Sequence, residues 1–92
     1  MTNSPYSAMN EIAYYRILVS GCVSEWWVNR YLDVKTLVAH RETDSIITEM
    51  TGKVPDQDAL MGLLNMFYDM RHVLISVDRL SAGQYEELTP EG

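Results

Sequence analysis

The sequence contains a single cysteine, Cys22. One thiol cannot build an intrachain disulfide framework, which points to a reducing compartment. No run of ~18 apolar residues is present, so no helical membrane span is expected. The opening residues, MTNSPYSAMNEIA, lack the basic start and the apolar stretch of a signal peptide, and cytoplasm is the expected location. Positive charge is also scarce: seven Lys and Arg face thirteen Asp and Glu, for a net charge of −6. Between Tyr14 and Leu80 nine acids stand against seven bases, while Glu11, Glu86, Glu87 and Glu91 in the flanks supply the rest of the deficit. The bases are scattered singly. Displacing counterions from phosphates takes a cluster, so nucleic acid is not an expected partner. The glycine-rich dinucleotide loop, the Walker A loop and the GxSxG elbow are all missing, and no cofactor is expected.

What is present is the composition of a folded domain: 92 residues, 47% hydrophobic and 22% charged. That length supports one core and not two. Residues 1–13 and 81–92 are polar and broken by Pro and Gly, and read as an N-terminal tail and an acidic C-terminal tail around a single domain, 14–80. Tyr14 to Val23 reads as a strand, with Ile17, Val19 and Val23 on one face and Arg16, Leu18, Ser20 and Cys22 on the other. Cys22 is expected there as a small buried hydrophobe. Ser24 is a good N-cap for a short helix, SEWWVNRYL. Asp33 to Arg41 and Ser45 to Val54 read as two strands joined by a turn over Glu42, Thr43 and Asp44. In the first of them Val34, Thr36, Val38 and His40 alternate with Lys35, Leu37, Ala39 and Arg41, and Thr51-Gly52-Lys53 can end the second.

Pro55 suits the first turn of a long helix, in which Leu60, Leu63, Leu64, Phe67 and Met70 form a wide apolar face flanked by Ala59 and Met66. The helix is expected to end near Arg71 or His72, and a last strand, VLISVDRL, follows. The order strand, short helix, strand, strand, long helix, strand predicts an α+β fold. It is the ferredoxin-like βαββαβ sandwich: a four-stranded antiparallel sheet with a short and a long helix on one face and the other face open.

Few residues offer chemistry. Asp56 and Asp58 could ligate a divalent cation, but a calcium loop needs further oxygens at fixed spacing, and the chain turns apolar after Asp58. They are expected to start the helix, as cap and as charge on the helix dipole. His40 and His72 have no metal-ligand spacing to each other or to Cys22, so no metal site and no catalytic residue is assigned. Trp26-Trp27 stands out, because helical neighbours point ~100° apart and both cannot be central in one buried face. Val28 with Leu32, and Trp27 with Tyr31, make inward pairs. Trp26 then lies near the edge beside Arg30, within reach of a cation–π contact. Met61 and Tyr68 lie beyond the main apolar face of the long helix.

Several pieces together resemble a group of small uncharacterised bacterial proteins. They are Ser24, Glu25, Trp27 and Tyr31; then Thr51, Gly52, Asp56, Gln57, Ala59, Leu60, Gly62, Leu63, Leu64 and Asn65; and then Leu74, Ser76 and Val77. The resemblance spans about residues 14–77 and implies the same βαββαβ pattern. It brings no activity with it. Two departures stand out: the group often has a His where Met61 stands, and a Gly after its helix where this chain has Arg71-His72.

The function these features predict is that of a non-catalytic module that forms a homodimer or docks on another protein, without membrane or nucleic acid. Leu18, Trp26, Arg30, Met61 and Tyr68 are the candidate interface residues. The alternative is a small-ligand-binding protein or small enzyme with a pocket between sheet and helices, for which Trp26, Trp27, Tyr31, His40 and Tyr68 are the candidates.

Overall fold

Alternation along the first strand decides which face of the sheet becomes the core. In β1 (Ala13–Ser20) Ile17 and Val19 are fully buried, and the residues between them turn to the other face. The computed structural model describes residues 12–88. After β1 come α1 (Glu25–Val28), β2 (Asp33–Arg41), β3 (Ile46–Val54), α2 (Gln57–Asp69), β4 (Leu74–Leu80) and α3 (Ala82–Glu87). The strands lie in the order β2-β3-β1-β4, each antiparallel to its neighbours. This is the expected ferredoxin-like arrangement with a third helix added. Ile17, Val19, Met50 and Val54 of the sheet, Val28 and Leu32 around α1, and Leu60, Leu63, Met66 and Phe67 of α2 form one buried cluster. Both α1 and α2 therefore cover the same face.

The long helix forms for the reasons its sequence suggests. Asp56 is the N-cap, its carboxylate accepting a hydrogen bond from the Ala59 amide at 2.8 Å, and Asp58 follows in the first turn. Pro55 stands just before the cap and not in the first turn. At the other end Met70, expected in the core, is the C-cap and is half exposed. Arg71 takes the left-handed conformation with φ 66°. The His72 amide then donates to the Phe67 carbonyl at 2.9 Å and the Arg71 amide to Tyr68 at 3.0 Å. These are the two bonds of a Schellman ending, which usually employs Gly where Arg71 stands.

Three local expectations need correction. Cys22 is exposed, because Gly21 (φ 87°) swings the chain out of β1 after Ser20 and the alternation stops there. Ser24 is the N-cap of α1 by position, but its hydroxyl makes no capping bond; its carbonyl accepts from the Trp27 amide and, in the ordinary helical bond, from the Val28 amide. In β2 the register shifts between Val34 and Thr36, leaving Lys35 as a bulge. Val34 consequently packs with Leu37 on the core, whereas Thr36, Val38 and His40 share the outer face. As expected, β3 runs to Val54, staying paired through Gly52 and Lys53.

The stretch expected as an N-terminal tail, 1–13, lies outside the described residues up to residue 11, and Ala13 already belongs to β1. Within 81–92, residues 82–87 are helical. Ser81 accepts from the Gln84 amide while the Gln84 side chain accepts from the Ser81 amide, a reciprocal capping box.

Candidate functional site

Three surfaces hold the chemically distinctive side chains. The first follows from the shortness of α1. Its single turn sinks Val28 and then Leu32 into the core, and that rotation leaves Trp26 67% exposed and Trp27 half exposed. The two indoles meet edge to face with centroids 4.9 Å apart. The Arg30 guanidinium lies 5.7 Å from the centre of Trp26 and 5.5 Å from that of Trp27. Both distances fall within the range of a cation–π contact. Tyr31 turns inward onto α2, where Gly62 makes room: a β-carbon there would stand 2.8 Å from the Tyr31 ring. Met61, beside Gly62, is half exposed.

The second surface lies where α2 ends and β4 begins. Tyr68 is 81% exposed, and Val73, Leu74 and Ile75 all present apolar surface to solvent. Together Leu64, Phe67, Tyr68, Val73 and Leu74 line an open cleft of about 700 Å³, with Asp69, Arg71 and His72 among its lining. The His72 ring is fixed by a 2.7 Å hydrogen bond from Nδ1 to the Ser20 carbonyl and by an edge-to-face contact with Phe67. Sequence reasoning did not single out Leu74 and Ile75. The signal was the run Val73-Leu74-Ile75 itself, since three successive apolar residues on a strand cannot all face one core.

The third surface is the open face of the sheet. Glu49 sits between Arg16, whose Nε is 3.3 Å from one carboxylate oxygen, and His40, whose Nε2 is 3.2 Å from the other. Leu18 lies across from Glu49 in the neighbouring strand. The far end of this face is covered by α3. The Tyr85 ring stacks on Tyr14 at 4.4 Å, and the Lys35 ammonium lies 4.4 Å from the Tyr85 ring centre and donates to the Tyr85 carbonyl at 2.6 Å. Burial first, then the Asp33 carboxylate and Tyr14, raise the Tyr85 phenol above its ordinary pKa.

These placements decide what the groups can do together. Trp26, Trp27, Arg30 and Tyr31 come together around α1. Tyr68 lies two turns of α2 beyond Met61, at the β4 end. His40 and Leu18 are on the opposite side of the sheet from both. His40 has a carboxylate partner but no serine, threonine or cysteine hydrogen-bonded to it among the described residues. Among the described residues no group of three or more His, Cys, Asp or Glu is placed to hold a metal ion. The Asp56 carboxylate is engaged by its own helix.

No curated protein and no solved structure matches the chain. A family model does match, over residues 14–78, which runs from β1 into β4. The chain therefore belongs to the family described as a domain of unknown function, DUF8691.

Proposed function

We propose that this domain is a non-catalytic module that acts by binding protein, as a homodimer or by docking on a partner. The observation that carries the reading is the apolar surface left on its helix side. Trp26, Trp27 and Met61 flank α1, and Tyr68, Val73, Leu74 and Ile75 flank the start of β4. Scattered exposed apolar residues are ordinary, but gathered patches of this kind mark interaction sites. Aromatic and Arg side chains are the usual anchors of such sites, and Trp26 with Arg30 supplies both. A concentration series by light scattering tests the self-associating form. A mass that rises from 10.6 kDa toward twice that value supports it. A clean monomer at high micromolar concentration overturns self-association and leaves only docking on a different protein.

A further inference from the structure

The apolar surface at the end of α2 has a shape that specifies its own partner. Tyr68 projects from α2 as the most exposed large apolar side chain, and beside it lies the open cleft floored by Phe67 and Leu64 and walled by Val73 and Leu74. A protruding ring next to a receptive cleft on one patch is self-complementary under a two-fold axis, the arrangement that closed dimers require. Resting on the reading of the chain as a protein-binding module, we infer that two copies pack two-fold on this face, the Tyr68 ring of each entering the cleft of the other.

The charge of this patch supports a second copy as the occupant. The chain carries −6 overall, so two copies repel across most of their surfaces. Here Asp69 and Arg71 both line the cleft, one charge of each sign, so this patch is locally balanced and free of that repulsion. A tyrosine hydroxyl entering the cleft meets polar partners in Asp69, Arg71 and His72, as a buried phenol needs. At their fractional exposures Tyr68, Val73, Leu74 and Ile75 offer roughly 400 Å² per copy. That is about half of the ~800 Å² per partner of a standard interface, the size of a weak, concentration-dependent pairing. The copies meet by side chains and not by extending the sheet. Ile75 has no partner in β1, because the register shifts there, and such a bulge interrupts the regular edge that strand pairing would use.

The experiment is sedimentation equilibrium on the full chain, comparing the wild type with Tyr68→Ala, Val73→Asp and Trp26→Ala, each checked for folding by circular dichroism. The expected result is a wild-type dimer whose dissociation constant rises at least about tenfold in Tyr68→Ala and in Val73→Asp, with Trp26→Ala unchanged. Tyr68 is so exposed that its truncation leaves the core intact, and this variant decides the matter should Val73→Asp fail to fold. A wild-type dimer indifferent to Tyr68→Ala overturns this inference and leaves the protein-binding module standing. Dissociation by Trp26→Ala alone would move the contact to α1. A wild-type monomer throughout overturns both the two-fold contact and self-association.

Discussion

The sheet has two outer strands, β2 and β4, and each carries a bulge at its margin. In β2 the unpaired residue is Lys35, and in β4 it is Ile75. Lys35 reaches the Tyr85 carbonyl and ring, so the bulge ties α3 across the open face. Ile75 is half exposed and follows Leu74, which lines the cleft beside Tyr68. Both bulges spoil the edge as a template for another strand. What stands at the bulge then separates the two margins. A cation with an internal partner closes one side of the molecule, and an aliphatic residue without one leaves the other apolar. The same backbone device thus serves a closed margin and an open, apolar one.

The largest effect should come from undermining the β4 margin at its base. Phe67 is almost wholly buried, floors the cleft and holds the His72 ring, which in turn is bonded to the end of β1. Phe67→Ala is expected to cost about 3–5 kcal/mol in chemical denaturation, through lost transfer energy and the cavity left behind. That is a large share of the stability of so small a domain. A loss below about 1 kcal/mol would mean that α2 is not held to the sheet through this ring, and the margin would lose its physical basis.

Next comes the tie on the β2 side. Tyr85→Ala removes the stack on Tyr14 and the cation–π contact with Lys35, an expected loss of about 1–2 kcal/mol. A change too small to measure would show that α3 adds nothing to the closed margin. The same contact predicts a response to alkaline pH. The Tyr85 phenol is held above its ordinary pKa, by burial first and then by Asp33 and Tyr14. A phenol whose folded pKa exceeds its unfolded one contributes stability that is fully present below the unfolded value and lost as pH rises through the folded value. Denaturation midpoints should therefore fall faster above pH ~10 in the wild type than in Tyr85→Phe. Parallel curves would remove the tyrosine from the explanation.

The closed margin was the less legible of the two from sequence, for reasons that lie in particular residues. Val34, Thr36 and Val38 alternate so regularly that nothing local signals the bulge at Lys35, which depends on the partner strand. The helix containing Tyr85 did have a signal in Ser81-x-x-Gln84, but polar composition and the Gly and Pro around it suggested a tail. The long helix and its cap were legible, because periodicity and capping are local. So were the element order and the exposure of Trp26 beside Arg30. The cleft was not, since Tyr68 and Leu74 become neighbours only once α2 and β4 are packed.

A smaller effect tests the start of α2, the end farthest from the cleft. Asp56→Ala removes the bond to the Ala59 amide and should cost about 1 kcal/mol. Asp58→Ala, which loses only a dipole contact, should cost about 0.3–1 kcal/mol. Neither change should alter the dissociation constant of the dimer. A rise in midpoint with added calcium, magnesium or zinc that either change abolishes would instead make these carboxylates ligands.

The smallest expected effect has the opposite sign, and it tests whether the β4 margin bears a cost. Arg71 adopts a left-handed conformation (φ 66°) to close the Schellman ending. For a residue with a β-carbon that conformation costs roughly 1–2 kcal/mol, whereas glycine adopts it without strain. Glycine also gives the unfolded chain more freedom, which returns part of the gain. Arg71→Gly should therefore stabilise the isolated chain by about 0.5–1 kcal/mol, measured by denaturation at concentrations where it is monomeric. At concentrations where it associates, the same substitution removes the base that balances Asp69 in the cleft lining, and the dissociation constant should rise. Opposite movements of stability and self-association in one variant would locate the reason for an arginine at this position in the interface. A fall in monomer stability would mean that the guanidinium contributes more to the fold than its backbone costs, and the arginine would need no partner to explain it.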